Sequence, residues 1–358
     1  MNTNEIDGVL SLARDDIRSL KAYEHAQWRP ELERLHANEL PWPPLSSNDG
    51  VARHHYPEPQ PTNLVAAMAA YYGAAPDQVL VGRGSDEGID LLTRAFCRAG
   101  EDSVLVCPPT FGMYAVAASI QGARTVSIPL RENFQLDVPA ILAALRSESS
   151  NPPKLIWLCS PNNPTGNSLE RSDIQRVIEA ARGRSVVIVD EAYAEFTAQP
   201  SWIASLAQYP HVVVLRTLSK AHGLAGLRLG AAIAHRAVIQ LLRKIIPPYA
   251  LPCDSARLGA IAMQEPALAV TRERIDLLLR ERQRLQAALS ESPLLTRIWP
   301  SEANFLLVEA RDGKVVLDRL AEVGLIVRDF RGKSGLGEAI RITIGTPEQN
   351  DRIIRSLS

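Results

Sequence analysis

His211-Val212-Val213-Val214-Leu215-Arg216-Thr217-Leu218-Ser219-Lys220 is the stretch on which the fold turns. Its β-branched apolar run reads as a buried strand. The hydroxyl-rich turn that follows puts a lysine at the strand's carboxyl edge, where open α/β sheets bind ligands. A second run, Val186-Val187-Ile188-Val189, ends in Asp190-Glu191-Ala192-Tyr193, and Asp190 stands thirty residues before Lys220. Working outward, helix patterns (about 62–72, 85–99, 112–121 and 170–182) alternate with strand patterns (about 79–82, 103–107, 123–128, 154–159, 185–190 and 211–216). Such alternation predicts an α/β sheet, mostly parallel and flanked by helices.

The 358 residues exceed the usual single core, so a large and a smaller domain are expected. Residues 1–50 read as an N-terminal arm and part of the small domain, with one polar helix at about 11–26 before Pro41-Trp42-Pro43-Pro44. Residues 51–250 read as the large domain and 251–358 as the small α+β domain. A helix at about 235–246 precedes a linking helix at about 254–290; short strands (304–308, 325–328, 339–344) and helices (313–323, 347–356) follow.

Apolar residues make up 46% and charged residues 22%, as in a soluble globular protein, and the net charge of −1 gives no pull towards nucleic acid or anionic membrane. No apolar run reaches the roughly 18–20 residues that span a bilayer. The acidic N-terminus does not read as a signal peptide. Cys97, Cys107, Cys159 and Cys253 lie far apart, with no metal-ligand spacing, which predicts a reduced, cytoplasmic protein without metal or disulfide.

Five constellations carry chemistry. Gly82-Arg83-Gly84-Ser85-Asp86-Glu87 joins a strand to a helix and suits an anion at the helix start, or a plain cap by Ser85 or Asp86. Ser160-Pro161-Asn162-Asn163-Pro164-Thr165-Gly166 is a turn in which Asn163 offers an amide. Asp190 follows four apolar residues, so its buried carboxylate needs a partner: a cationic ring nitrogen, or the next turn as a cap. Tyr193 offers a phenol beside it. Thr217, Ser219 and Arg228 make a second half for a phosphate cup around Lys220. Arg341 and Arg328, on late strands, suit an anionic substrate or plain solvent. A lysine that forms an imine and an aspartate that pairs with a pyridine nitrogen are what pyridoxal phosphate chemistry uses.

With these motifs in place, the chain resembles the fold-type-I pyridoxal-phosphate-dependent aminotransferases over nearly its whole length. Tyr56-Pro57-Glu58-Pro59-Gln60-Pro61 and Pro108-Pro109-Thr110-Phe111-Gly112-Met113-Tyr114 resemble the histidinol-phosphate branch of that family. The resemblance implies a seven-stranded-type sheet and a homodimer. It implies that Lys220 holds pyridoxal phosphate as an imine, Asp190 pairs with the ring nitrogen, and Asn163 and Tyr193 bond the ring oxygen. Phe111 would stack on the ring where relatives carry tyrosine. Gly84, Ser85, Asp86, Thr217, Ser219 and Arg228 would surround the phosphate, and Tyr56 would reach the neighbouring subunit's site. Tyr23, Asn38, Arg328 and Arg341 would meet substrate. The implied reaction is histidinol phosphate with 2-oxoglutarate, giving imidazole acetol phosphate and glutamate. His36-Ala37-Asn38-Glu39-Leu40-Pro41 departs from the branch's Asn-x-Asn-Glu-Asn-Pro, which leaves an aromatic or other aminotransferase and a phosphothreonine decarboxylase as alternatives.

Overall fold

The computed structural model describes residues 3–25, 29, 32–43, 49–146 and 152–358. Two short helices, α1 (Thr3–Ser11) and α2 (Asp15–Ser19), open the chain in place of the single helix expected over 11–26. Arg14 between them is extended at φ −57° and ψ 134°, and Leu12 and Ala13 are drawn into the core. Asp15 and Asp16 start the second helix, where their charges suit the dipole. Residue 26 of the expected helix and Pro44 of the proline-rich stretch lie outside the described residues.

The alternating region then runs α3 (Thr62–Tyr72), β1 (Val79–Gly82), α4 (Ser85–Phe96), β2 (Ser103–Val106), α5 (Met113–Gln121), β3 (Arg124–Ser127), α6 (Val138–Arg146), β4 (Leu155–Cys159), α7 (Arg171–Ala181), β5 (Val186–Asp190), β6 (Val212–Thr217), β7 (Gly230–Ala234) and α8 (Arg236–Arg243). The strands form one seven-stranded sheet in the order β1-β7-β6-β5-β4-β2-β3. All pairs from β3 through β6 are parallel, while β7 runs antiparallel to both β6 and β1. The central strands are buried on both faces. Val187, Val189, Val212 and Val214 join one core, and Val186, Ile188, Val213 and Leu215 join the other. A continuous apolar run is what a doubly covered parallel strand requires.

After α9 (Cys253–Ala262) comes α10 (Glu265–Ser290), where one helix was expected over 254–290. Pro266 explains the break. A continuing helix would need its missing N–H and would drive its ring into the carbonyl of Ala262. The rest comprises β8 (Leu295–Ile298), β9 (Phe305–Ala310), α11 (Gly313–Glu322), β10 (Arg328–Asp329), β11 (Ala339–Thr343) and α12 (Pro347–Leu357), with a four-stranded antiparallel sheet ordered β10-β11-β9-β8. Leu306, Val308, Ile340 and Ile342 pack under it against Leu285 and Leu289 of α10. Its opposite face meets the large sheet's loops through Phe134, Trp299, Leu307 and Leu336. All four cysteines are free; Cys97, Cys107 and Cys159 are buried, and Cys253 is partly so. Among the described residues no helix is long and apolar enough to cross a membrane.

Candidate active site

Six turns at the edge of the large sheet close around one pocket. It is lined by Ser85, Asp86, Phe111, Asn163, Asp190, Tyr193, Thr217, Ser219, Lys220 and Arg228, all picked out from the sequence, together with Cys159, Ala192 and Ala225. Among the described residues no cluster of His, Cys, Asp or Glu forms a metal site.

Asp190 ends β5 and is 2% exposed. Its Oδ2 accepts a hydrogen bond from the Tyr114 hydroxyl at 2.7 Å, and its Oδ1 accepts from the Ala192 N–H at 3.1 Å. The carboxylate therefore caps the following turn and also faces the pocket. Burial pushes it up to about 6, against the pull of Tyr114 and Ala192. Tyr114 is fully buried on α5 and stacks on Trp157 at 4.9 Å, which fixes the direction of its hydroxyl. Tyr193, expected beside Asp190 at the cofactor ring, lines the same pocket and packs edge-on against Phe305. Tyr114 lay in a quoted motif, yet nothing in its spacing revealed that α5 would aim it at β5.

Lys220 opens onto the same pocket, with its Nζ 5.7 Å from the Tyr193 ring centroid. Its surface is exposed through the pocket mouth, but protein packed around the amine, helped by Arg341, lowers its proton affinity below that of an ordinary lysine. A lysine that loses its proton readily is a better nucleophile.

At the pocket's other end, α4 begins after Gly84, whose φ of 79° suits glycine, and among the described residues no side chain caps its first turn. Ser85 and Asp86 do not act as the cap that was the bland alternative. The N–H groups of such a helix start, with the helix dipole behind them, suit an anion. Arg228 reaches over it. Its Nη2 lies 3.0 Å from Asp86 Oδ2 and its Nη1 lies 3.5 Å from Ser219 Oγ. Arg228 holds a left-handed backbone at φ 53°, uncommon outside glycine. Thr217 Oγ1 accepts from the Ser219 N–H at 3.2 Å and shapes the turn before Lys220. Gly230, missed in the sequence, lines the underside. A Cβ there would meet Gly84 C and Ser85 N at 2.5 Å.

The asparagine turn divides its labour. Asn162 is buried and braces the loops, with Nδ2 donating to Pro109 O at 2.8 Å and Oδ1 accepting from Thr110 Oγ1 at 2.9 Å. Asn163 faces the pocket, and its Oδ1 accepts from Arg341 Nη1. Arg341 reaches this point from the small sheet, between the rings of Phe305 and Phe330. It pairs in register with Arg328 across β10 and β11, and neither is ion-paired among the described residues.

Three expected residues lie away from this pocket in their own chain. Tyr56 is 51% exposed and stacks on Tyr249 at 4.7 Å; Tyr23 is 65% exposed and meets His25 edge-on. Asn38 is exposed with φ 57° and lines a separate groove that includes Tyr56. Glu39 holds this arm together. Its Oε1 accepts from Arg34 at 2.8 Å and from the Tyr56 N–H at 2.6 Å.

A family model described as aminotransferase class I and II matches residues 23–357. The chain is 44% identical to histidinol-phosphate aminotransferase of Xanthomonas campestris pv. campestris, covering 98% of this chain and 97% of the relative. It is likewise 44% identical to histidinol-phosphate aminotransferase of Xylella fastidiosa, covering 100% and 98%. The crystal structure of histidinol-phosphate aminotransferase from Sinorhizobium meliloti in complex with pyridoxal-5'-phosphate superposes with a TM-score of 0.74 at 26% identity, covering 85% of this chain and 82% of that one. Pocket, sheet and full-length similarity agree: the chain belongs to the class I and II aminotransferases.

Proposed function

We propose that the protein transfers the amino group of histidinol phosphate to 2-oxoglutarate, giving imidazole acetol phosphate and glutamate, with pyridoxal phosphate in the pocket just described. One observation carries the proposal: a single pocket holds the start of α4 with Arg228, a buried carboxylate and a lysine amine. The cofactor fits these groups. Asp190 is a buried carboxylate facing a cavity, and a protonated pyridine nitrogen is the partner it needs. The uncapped start of α4 with Ser85, Asp86, Ser219 and Arg228 suits a phosphate dianion. Phe111 offers a flat face, and Asn163 and Tyr193 offer polar groups for a ring oxygen.

The chemistry such a cofactor supplies is an electron sink for the carbon that bears the substrate amine. Asp190 would keep the ring nitrogen cationic. Lys220 Nζ would anchor the cofactor and, once freed by the donor amine, would carry the proton from the amine-bearing carbon to a carbon of the cofactor, work worth roughly 10²–10⁴-fold. Arg341 and Arg328 meet the anionic end of the substrate; Tyr23 and Asn38, exposed away from the pocket of their own chain, would have to come from the neighbouring subunit. The full-length 44% identity supports histidinol phosphate as donor.

The proposal extends to assembly. The chain acts as a homodimer in which Tyr56 completes the neighbouring site, with residues 1–50 as an arm, 51–250 as the cofactor-binding domain and 251–358 as the small domain. Four free cysteines support a reducing, cytoplasmic setting. Titrating the loaded protein with histidinol phosphate, without a 2-oxo acid, tests the donor: the visible absorbance of bound cofactor disappears. Bleaching by phenylalanine but not by histidinol phosphate would reassign it, and release of carbon dioxide from phosphothreonine would make the protein a decarboxylase.

A further inference from the structure

Behind the pocket lies a group of charged side chains that the proposed reaction does not use. Arg216, on β6, donates through Nη1 to Glu191 Oε2 at 2.9 Å and through Nη2 to Glu195 Oε1 at 2.6 Å. The side chains of Arg216, Glu191 and Glu195 are 7%, 4% and 5% exposed. Glu191 is anchored further by the Ser201 hydroxyl at 2.6 Å and the Trp202 N–H at 2.7 Å. His222, with a side chain 1% exposed, places Nε2 3.7 Å from Glu195 Oε1, and among the described residues neither of its ring nitrogens has a hydrogen-bond partner.

These positions interleave with the pocket. Asp190 faces in and Glu191 faces back; Tyr193 faces in and Glu195 faces back; Thr217 faces in and Arg216 faces back. At the strand ends the neighbours 190/191 and 216/217 point to opposite sides, as in any extended chain, whereas Tyr193 and Glu195 are turned apart by the 3₁₀ turn Ala194–Phe196. The β5–β6 ladder ends with Asp190 opposite Leu215, followed by the Glu191 N–H donating to Leu215 O at 3.0 Å. Beyond that point the loop carrying Tyr193 and the loop carrying Lys220 are joined by Arg216, whose guanidinium grips the first loop at two residues. Glu195 then reaches His222, just past Lys220, so the group touches the lysine's loop on both sides.

A buried ion pair adds little net stability over apolar packing of the same volume, because desolvation offsets the attraction. Two carboxylates sharing one guanidinium make that balance worse. Burial pushes Glu195 up, and Arg216 and His222 outweigh it, so the carboxylate stays ionised in the interior. Stability alone does not account for such a group directly behind the reacting residues.

We infer that Glu191, Arg216 and Glu195 form a brace that fixes the spacing of Lys220 and Asp190, making Glu195 and Glu191 positioning residues for the reaction. The inference rests on the roles given to Lys220 and Asp190 above. Its consequence is geometric. Without the brace the amine and the carboxylate no longer address one small ring together, and a misplacement of about 1 Å costs up to about a hundredfold in rate.

Glu195→Gln tests it, since the amide keeps the shape and loses the charge. Three quantities separate positioning from packing: the dissociation constant of added pyridoxal phosphate for the cofactor-free chain, the pH midpoint of the visible absorbance change in the loaded chain, and kcat and KM taken apart. In Glu195→Gln the cofactor binds about tenfold more weakly, kcat falls roughly 10–100-fold with KM nearly unchanged, and the midpoint moves away from the wild-type value because the amine loses its fixed place relative to Asp190 and Arg341. Glu195→Asp, which keeps the charge, recovers the midpoint. A variant that melts earlier but keeps the wild-type midpoint, affinity and kcat overturns the inference. If Glu195→Gln does not fold, Ser201→Ala, which loosens Glu191 alone, is measured against the same three quantities. If the wild-type chain takes up no pyridoxal phosphate, the functional proposal itself falls; if it does and the variants match it, only the brace falls.

Discussion

Burial raises the Asp190 carboxyl to about 6, so the fold alone holds its proton more tightly than water does. A carboxyl raised above its unfolded value of about 3.9 gives stability that is fully present below that value and is lost as the pH climbs through the folded one. Above about pH 6 the cofactor-free protein therefore carries a cost on the order of 3 kcal/mol at this side chain. Asp190→Asn, which cannot ionise, should melt higher than wild type without cofactor at about pH 8, and the gap should close towards about pH 4. With pyridoxal phosphate bound, the order should reverse, because the carboxylate then has its cationic partner. Melting curves at both pH values, with and without cofactor, check this; a gap independent of pH would refute it. At this scale much was legible: Lys220, Asp190, Asn163 and Arg228 all meet in one pocket. Tyr114 and the Arg216 group were not. Their partners lie on other strands, and sequence spacing carries no record of contacts across a sheet.

Among the elements, the strands with Val and Ile runs were legible because a doubly buried strand must be apolar throughout. β7 was not, since Gly230-Ala231-Ala232-Ile233-Ala234 has little strand propensity. Its small residues answer to packing: Gly230 sits against the turn that starts α4. Gly230→Ala should therefore cost at least about 2 kcal/mol, because the clash is with backbone and cannot be relieved by a side-chain shift. The same substitution should loosen cofactor retention, measured by the pyridoxal phosphate left after gel filtration; full retention with unchanged melting would contradict the geometry. α6 was also missed, although Asp137, whose Oδ1 accepts from the Ala140 N–H, and Pro139 in the first turn are a helix-start signature. The short β8, Leu295–Ile298, has too few residues for a period to show. The split between α9 and α10 was written in Pro266, and the apolar pattern on either side masked it.

Over the whole molecule, the small sheet contributes to the pocket through Arg341, and the Asn163 turn is tied to it again where Glu302 N donates to Gly166 O at 2.7 Å. The α/β class and the seven-stranded sheet were legible from alternation and family resemblance, while β10 and β11 had to pair before Arg328 and Arg341 became neighbours. Tyr56 stands exposed beside Tyr249, away from its own pocket, so its proposed role is a matter between chains. Mixing Tyr56→Ala with Lys220→Ala after dissociation and reassociation should restore activity towards a quarter of wild type, since a mixed dimer then has one complete site made from both chains. No recovery in the mixture would place Tyr56 in cis or outside the reaction. The sulfur atoms carry a practical corollary. Burial pushes the thiols of Cys97 and Cys107 up to about 12 and Cys159 higher still, which keeps them in the unreactive neutral form. An alkylating dye offered to the native enzyme is left with Cys253, in the groove beside Tyr56, where a fluorophore would report on the proposed contact between chains.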